Sequence, residues 1–286
     1  MKKSEILNKI ILALSEAKDF HKPKNNIYEF FSVALQKEIK KLFSNENAEA
    51  VEFLPFGEII FPYHKLGEAV DSLNLFEVDE MMVFSFYWAN KNRYKKVLDL
   101  GANIGLHSVL MAKCGYTVDS YEPDPFHFKI LKENITINGL NSVNAFNQAV
   151  SVTNTNLNFT RVKGNTMSSH ISGAKPSPYG DLEYFTVEAR SFKDIIKGTD
   201  FVKMDVEAHE KELVKLTDRA DWENMDAMVS IHNQENADAV FSHLTKIGVN
   251  IFSQFINWKK AGKIEDIPIN HFGGSILVST KDEMPW

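Results

Sequence analysis

The chain has 286 residues, 44% of them hydrophobic, a formal net charge of −6 and a single cysteine, Cys114. That is enough to bury a sizeable core in one or two domains, and an acidic balance without any basic block excludes non-specific nucleic-acid binding. One cysteine excludes an internal disulfide and a cysteine-based metal cluster, and its place late in an apolar helix reads as a buried spectator. The apolar run Ile10 to Leu14 is too short for a signal core, and no stretch approaches the ~20 apolar residues of a membrane span. A cytoplasmic protein with no stable membrane insertion is expected.

Residues 4 to 18 predict an amphipathic helix with Ile6, Leu7, Ile10, Ile11 and Leu14 on one face, packed against the body or a second subunit of a homodimer. Lys2, Lys3 and Lys9 give only faint support to a membrane-surface helix. A second helix is expected over Ile27 to Phe43, with Phe30, Phe31, Ala34, Leu35 and Ile39 as its stripe, and Ser44 to Ala48 reads as a linker. Glu52 to Tyr63 alternates around Pro55-Phe56-Gly57, the pattern of a small β-hairpin. Phe76 to Asn90 predicts a helix. These elements define an N-terminal extension, residues 1–75, ahead of a main domain, residues 76–286.

Val97 to Gly105 reads VLDLGANIG, a short apolar strand followed by a glycine turn into a helix. Glycine turns at strand carboxyl ends are where open α/β sheets bind nucleotides. The dinucleotide fingerprint G-x-G-x-x-G needs a second glycine to let the backbone approach a pyrophosphate. Here the three positions are Gly101, Asn103 and Leu106, so a side chain stands where a diphosphate would press. A nucleoside without phosphates fits better, and S-adenosylmethionine is the common cofactor of that kind. Ser120-Tyr121-Glu122 ends the next strand, where a carboxylate can accept both ribose hydroxyls. Asp124-Pro125 predicts an N-cap with proline at the first helical position.

Further strands are expected at Val143 to Asn147, Phe201 to Met204, Ala227 to Ile231, Ile251 to Phe255 and Ser275 to Ser279, the last two as an antiparallel pair. From about residue 95, strand and helix are expected to alternate, giving a parallel sheet with helices on both faces. Asn154 to Tyr179, rich in Ser, Thr, Asn, Gly and Pro, predicts a long irregular binding loop carrying Met167, Ser168, Ser169 and His170. His107, His127, His243 and His271 have no local feature that raises them above ordinary helix or loop histidines.

The stretches LDLGANIGLHS, YEPDPFHFKILKENITING, NQAVS, Met167-Ser168-Ser169 and FVKMDVEAHEKEL together resemble FkbM-type S-adenosylmethionine-dependent methyltransferases over roughly residues 77 to 216. K-x-D-V-E-x-x-E is the most distinctive of these motifs. The chain departs from the family pattern at Ala208-His209, where Gly-Ala is usual, and at Ser230-Ile231-His232, where a Glu is frequent. The resemblance implies a Rossmann-like α/β fold with a mostly parallel seven-stranded sheet containing one reversed strand. It also implies a cofactor site at Asp99, Gly101, Ala102, Asn103, Gly105, Glu122, Pro123, Asp124, Gln148, Ala149 and Asp205. The implied acceptor is a hydroxyl on a sugar or other small molecule, including a glycan.

O-methylation needs the acceptor aligned and a proton removed from its hydroxyl. Lys203, Asp205, Glu207, His209 and His232 are the ionisable residues at the expected ends of the fourth and fifth core strands. A metal-free His or Asp base is the preferred reading. A divalent metal held by Asp205, His232 and His209 is possible but not favoured, because ligands from separate strands have no diagnostic spacing. Two other classes stay open on the residues: a nicotinamide-dependent oxidoreductase and a non-catalytic binding protein with a methyltransferase fold.

Overall fold

Local capping starts the chain's first elements. A short strand, β1 (Lys2–Lys3), leads into helix α1 (Glu5–Glu16), where the Ser4 hydroxyl oxygen accepts the Leu7 N–H at 3.1 Å. Helix α2 (Asn26–Phe43) is capped by the Asn25 side chain, which accepts the N–H groups of Ile27 and Tyr28. Strands β2 (Val51–Glu52) and β3 (Glu58–Ile59) form the expected hairpin, and β1 pairs with β2 in parallel. The helix faces differ from expectation. Ile6 and Phe30 are 56% and 68% exposed, while Glu38 turns inward and accepts a 2.7 Å hydrogen bond from Ser4. The computed structural model describes residues 1–46, 49–175 and 177–286, so Asn47 and Ala48 of the expected linker, Pro176 of the expected loop and the His271 side chain lie outside the described residues.

Helix α3 (Val78–Ala89) is apolar nearly all round and is buried on nearly all sides. The sheet then begins: β4 (Lys96–Leu100), α4 (Leu106–Lys113), β5 (Thr117–Tyr121), α5 (Pro125–Ile137) and β6 (Val143–Phe146). Here the expected strand–helix alternation is interrupted. Strands β7 (Ala149–Ser151), β8 (Thr155–Val162), β9 (His170–Ile171) and β10 (Leu182–Ser191) form a separate four-stranded sheet in the order β7-β10-β8-β9. Within the segment expected as a long loop, residues 155–162 and 170–171 are therefore strand. Residues 155 to 162 of β8 pair antiparallel with 182 to 189 of β10, and Phe159, Val187 and Ala189 bury a small core of their own.

The alternation resumes with α6 (Phe192–Ile195), β11 (Phe201–Met204), α7 (Glu210–Lys215), β12 (Asp226–Ser230), α8 (Gln234–Lys246), β13 (Asn250–Ser253), β14 (Lys259–Lys260) and β15 (Ser275–Ser279). The main sheet has the order β14-β13-β15-β12-β11-β4-β5-β6. Strands β12, β11, β4, β5 and β6 pair in parallel, and β15 runs against both β12 and β13. The sheet thus has eight strands rather than the expected seven. The eighth, β14, is a two-residue edge strand paired antiparallel with β13.

Apolar residues of α1, α2, α3, α4 and the hairpin share one core with β4 and β5 on one side of the sheet. That core crosses residue 75. A second core on the opposite side packs Trp222, α7 and α8 against β11, β12 and β15. Asp226, buried at the start of β12, is matched by three donors: Tyr94 Oη at 2.7 Å, Ser279 Oγ at 2.6 Å and Lys281 Nζ at 2.7 Å. Among the described residues, no helix is long and apolar enough to cross a membrane.

Candidate active site

The parallel register brings the carboxyl ends of β4, β5 and β11 to one edge of the sheet, where loops carry polar groups into a cleft. The cleft encloses about 610 Å³ of empty space, part of it open to solvent. Its floor is the glycine turn. Gly101 adopts φ +72°, and its N–H and that of Ala102 both donate to the Tyr121 carbonyl. A Cβ on Gly101 would run into the Asp205 backbone carbonyl, so only glycine fits between β4 and β11. Asn103 takes φ +52°, a conformation asparagine tolerates, and its side-chain oxygen accepts the Ile104 N–H.

Glu122 follows β5 and lines the cleft. Its two oxygens each accept one backbone N–H, from Asn103 at 2.7 Å and from Asp124 at 2.8 Å. A carboxylate has about four acceptor positions, so about half of its capacity is left. Burial pushes its pKa up to about 8, against the two N–H bonds, which favour the anion. Asp124 is the expected N-cap, accepting the Phe126 N–H, but it also holds Arg161 of β8 through two short bonds, 2.7 and 2.5 Å. Burial works to raise the Asp124 pKa, and the Arg161 bonds hold it below the usual carboxylate range.

The four-stranded sheet and the turn after β8 complete the cleft wall. Gln148, Ala149, Phe159, Met167, Ser169 and His170 line it. His127, which also lines it, bonds through Nε2 to Thr166 Oγ1 at 2.8 Å, and burial lowers its pKa to about 4.

At the other end Asp205, Val206 and Glu207 follow β11. Lys203 lies behind them, its Nζ donating to the Gly101 carbonyl at 3.1 Å and standing 3.7 Å from both Asp99 and Asp205. Asp205 Oδ1 accepts from His232 Nε2 at 2.9 Å; His232 is also 3.5 Å from Glu210 and 3.6 Å from Glu207. Burial opposes charge on His232, but Glu207, Glu210 and Asp205 push its pKa up to about 10. Burial likewise opposes ionised Asp205, yet Lys203 and the His232 bond hold it well below the usual range. Glu207 also pairs with Lys175 from the loop after β9. Both Glu207 and Ala208 sit at left-handed φ, +55° and +76°. The usual family glycine at position 208 therefore answers a backbone need, which Ala208 meets under strain.

Of the sequence-derived site residues, Gly101, Asn103, Glu122, Pro123, Gln148, Ala149, Asp205 and Glu207 meet in this cleft. Asp99 is wholly buried behind the turn, where it accepts Ser108 Oγ at 2.5 Å. Ala102 and Gly105 shape the turn, and Gly105 packs on Leu131. Two of the base assignments change. His232 is an imidazolium at neutral pH, so it acts as a counter-ion to carboxylates and has no lone pair for a proton. His209 turns to Ser151, its Nε2 3.0 Å from the hydroxyl, and is not part of the cleft wall. The trio able to hold a metal also changes, to Asp205, Glu210 and His232. Each Glu210 oxygen there already accepts one donor, the Val206 N–H and the Asn236 amide. His107, unmarked in sequence, is buried between Tyr87 and Glu80.

A family model described as the methyltransferase FkbM domain matches residues 99–254. No curated protein matches the chain. Among solved structures, the chain is similar to a SAM-dependent methyltransferase from Agrobacterium tumefaciens, with 10% identity over 82% of this chain and 70% of that one and a TM-score of 0.43. It is similar to a precorrin-6y C5,15-methyltransferase from Geobacter metallireducens GS-15, with 11% identity over 70% and 87% of the two chains and a TM-score of 0.40. A third structure, StiE O-MT residues 942–1257, has 13% identity over 57% of this chain and a TM-score of 0.34, and the alignment spans about half of that chain, 48%.

Proposed function

Because the chain belongs to the FkbM methyltransferase domain family, we propose that it moves a methyl group from S-adenosylmethionine to a hydroxyl oxygen of a sugar or another small molecule. S-adenosylmethionine supplies a methyl group already activated on a sulfonium. In this reading residues 76–286 carry the chemistry and residues 1–75 buttress it through the shared core.

The single observation behind the reading is that one cleft has a carboxylate with open acceptor positions at one end, Glu122, and a carboxylate pair, Asp205 and Glu207, at the other. Glu122 is placed to accept ribose hydroxyls, and Gln148 and Ala149 to flank the base beside it. Asp205 and Glu207 put carboxylates where a cation is to be held, and Lys203 and the His232 bond favour the ionised form of Asp205. Asn103 stands in place of the second glycine of the dinucleotide fingerprint, so the turn is not open for a pyrophosphate.

The test is calorimetric titration of the purified protein with S-adenosylmethionine, S-adenosylhomocysteine and NAD, followed by methyl transfer from labelled S-adenosylmethionine into a panel of hydroxylated sugars. The reading expects micromolar binding of the first two, none of NAD, and label in an ether. Binding of NAD alone would reverse the assignment to an oxidoreductase, and binding without turnover on any acceptor class would favour a binding protein.

A further inference from the structure

We propose that His170 is the general base that takes the proton from the acceptor hydroxyl, an inference that rests on the methyltransfer reading above. His170 is held by β9, where it pairs antiparallel with Thr160 of β8 beside the cleft it lines. Its Nδ1 is 2.9 Å from the Ser168 carbonyl oxygen. A carbonyl can only accept, so Nδ1 carries the ring proton and Nε2 carries the lone pair.

That Nε2 is buried and has no hydrogen-bond partner among the described residues, and the residue as a whole is 2% exposed. Leaving a buried acceptor unsatisfied costs on the order of 1–3 kcal/mol, so the site is arranged for a donor that arrives with a ligand. A hydroxyl is such a donor.

The charge state agrees with that geometry. Burial holds the His170 pKa below its ordinary value, and of the charged groups around it Lys175 opposes protonation while Glu207 favours it. The ring is therefore neutral at pH 7 and able to receive a proton. The other histidines near the cleft do not offer a free acceptor nitrogen. His127 has its Nε2 engaged by Thr166, His209 is turned to Ser151, and His232 is already charged.

In the step, the hydroxyl O–H bond breaks and its proton moves to Nε2. The oxygen forms the new C–O bond with the methyl group, and the electron pair of the broken S–C bond stays on sulfur. One positive charge leaves the sulfonium and one appears on the His170 imidazolium, where Glu207 stabilises it.

Sinefungin tests this without knowledge of the acceptor, because it has C–NH2 where the donor has S–CH3, which puts an N–H donor at the methyl position that faces the acceptor and its base. Wild-type protein should bind sinefungin at least fivefold more tightly than S-adenosylhomocysteine. His170→Ala and His170→Gln should lose that preference while keeping S-adenosylhomocysteine affinity within about threefold. Nitrogen NMR of the His170 ring should show Nδ1–H in the free protein and a shift at Nε2 with sinefungin only. Equal preference in wild type and variants, or an Nε2–H tautomer, overturns the role of His170. Failure of both ligands to bind wild type overturns the cofactor reading instead.

Discussion

Asp205 and His232 are joined by a 2.9 Å bond between Oδ1 and Nε2, and the same imidazole stands within 3.6 Å of two further carboxylates. The group is an ion cluster with one protonated histidine serving Asp205, Glu207 and Glu210. Lys203 also serves Asp205 and Lys175 also serves Glu207, so among the three Glu210 depends most on that ring.

Replacing His232 with Ala should destabilise the protein by about 3 kcal/mol, since the buried Glu210 carboxylate loses its cation. The pH dependence has a definite sign. The folded pKa of His232, about 10, lies above its ordinary 6.5, so its contribution is complete below 6.5 and fades as pH rises through about 10. Urea unfolding of wild type and His232→Gln at pH 6, 8 and 10 checks this. A stability gap that widens with pH contradicts it.

Glu122→Ala should weaken S-adenosylmethionine by roughly 30-fold or more, the loss of two charge-assisted hydrogen bonds worth ~2–4 kcal/mol. Because the free carboxyl titrates near 8, a ligand that needs the anion must displace a proton below that pH. S-adenosylhomocysteine affinity should then fall by up to tenfold per unit from pH 8 to 6, and Glu122→Gln should flatten the profile. Calorimetry in buffers of different ionisation enthalpy reads the released proton directly.

Gly101→Ala should be severe, costing about 3 kcal/mol or more, from a left-handed φ plus a clash with the Asp205 carbonyl. The obstruction is the added Cβ against the Asp205 backbone carbonyl, between β4 and β11. A folded Gly101→Ala protein with wild-type stability would show that the two strands can separate.

Position 208 offers the opposite case. Ala208→Gly should be neutral or stabilising by up to about 1 kcal/mol, as strain relief of ~1–2 kcal/mol offsets the extra chain entropy. Ala208→Val should cost at least ~2 kcal/mol, because the site is fully buried and left-handed. Thermal melting of both variants gives the order.

Turnover should survive EDTA, and added Mg²⁺ should not raise it. The charge a metal would supply beside Asp205 is present on His232. Loss of activity on chelation, restored by Mg²⁺ or Mn²⁺, would return the trio of Asp205, Glu210 and His232 to a ligand role.

The parts legible in sequence were those fixed by local backbone chemistry. Gly101, Glu122 and the Asp124 cap are read from a strand, a tight turn and a helix start, each a few residues long. The four-stranded sheet was not, because β8 reads TNLNFTRV, where Leu157 and Phe159 alternate with exposed Asn156 and Asn158 but Thr160 and Val162 are both buried. Polar composition masked a period-two signal. The role of His232 was equally hidden, since three carboxylates reach it from a segment 22 to 27 residues away and none is suggested by Ser230-Ile231-His232 itself. Phe30 shows the reverse error, an apolar residue counted into a stripe although the helix turns it outward.

Strand β15 enters the sheet between β12 and β13, although it is made after both. A ribosome delivers β4, β5 and β6 early and in an order that lets neighbours pair as they emerge. The other half must wait. Until Ser275–Ser279 is released, β12 and β13 each expose an unpaired edge, and Asp226 lacks Ser279 and Lys281. A nascent chain halted before residue 275 is therefore a sticky object with two strand edges unpaired, and the last strand acts as the clasp that ends its exposure to aggregation.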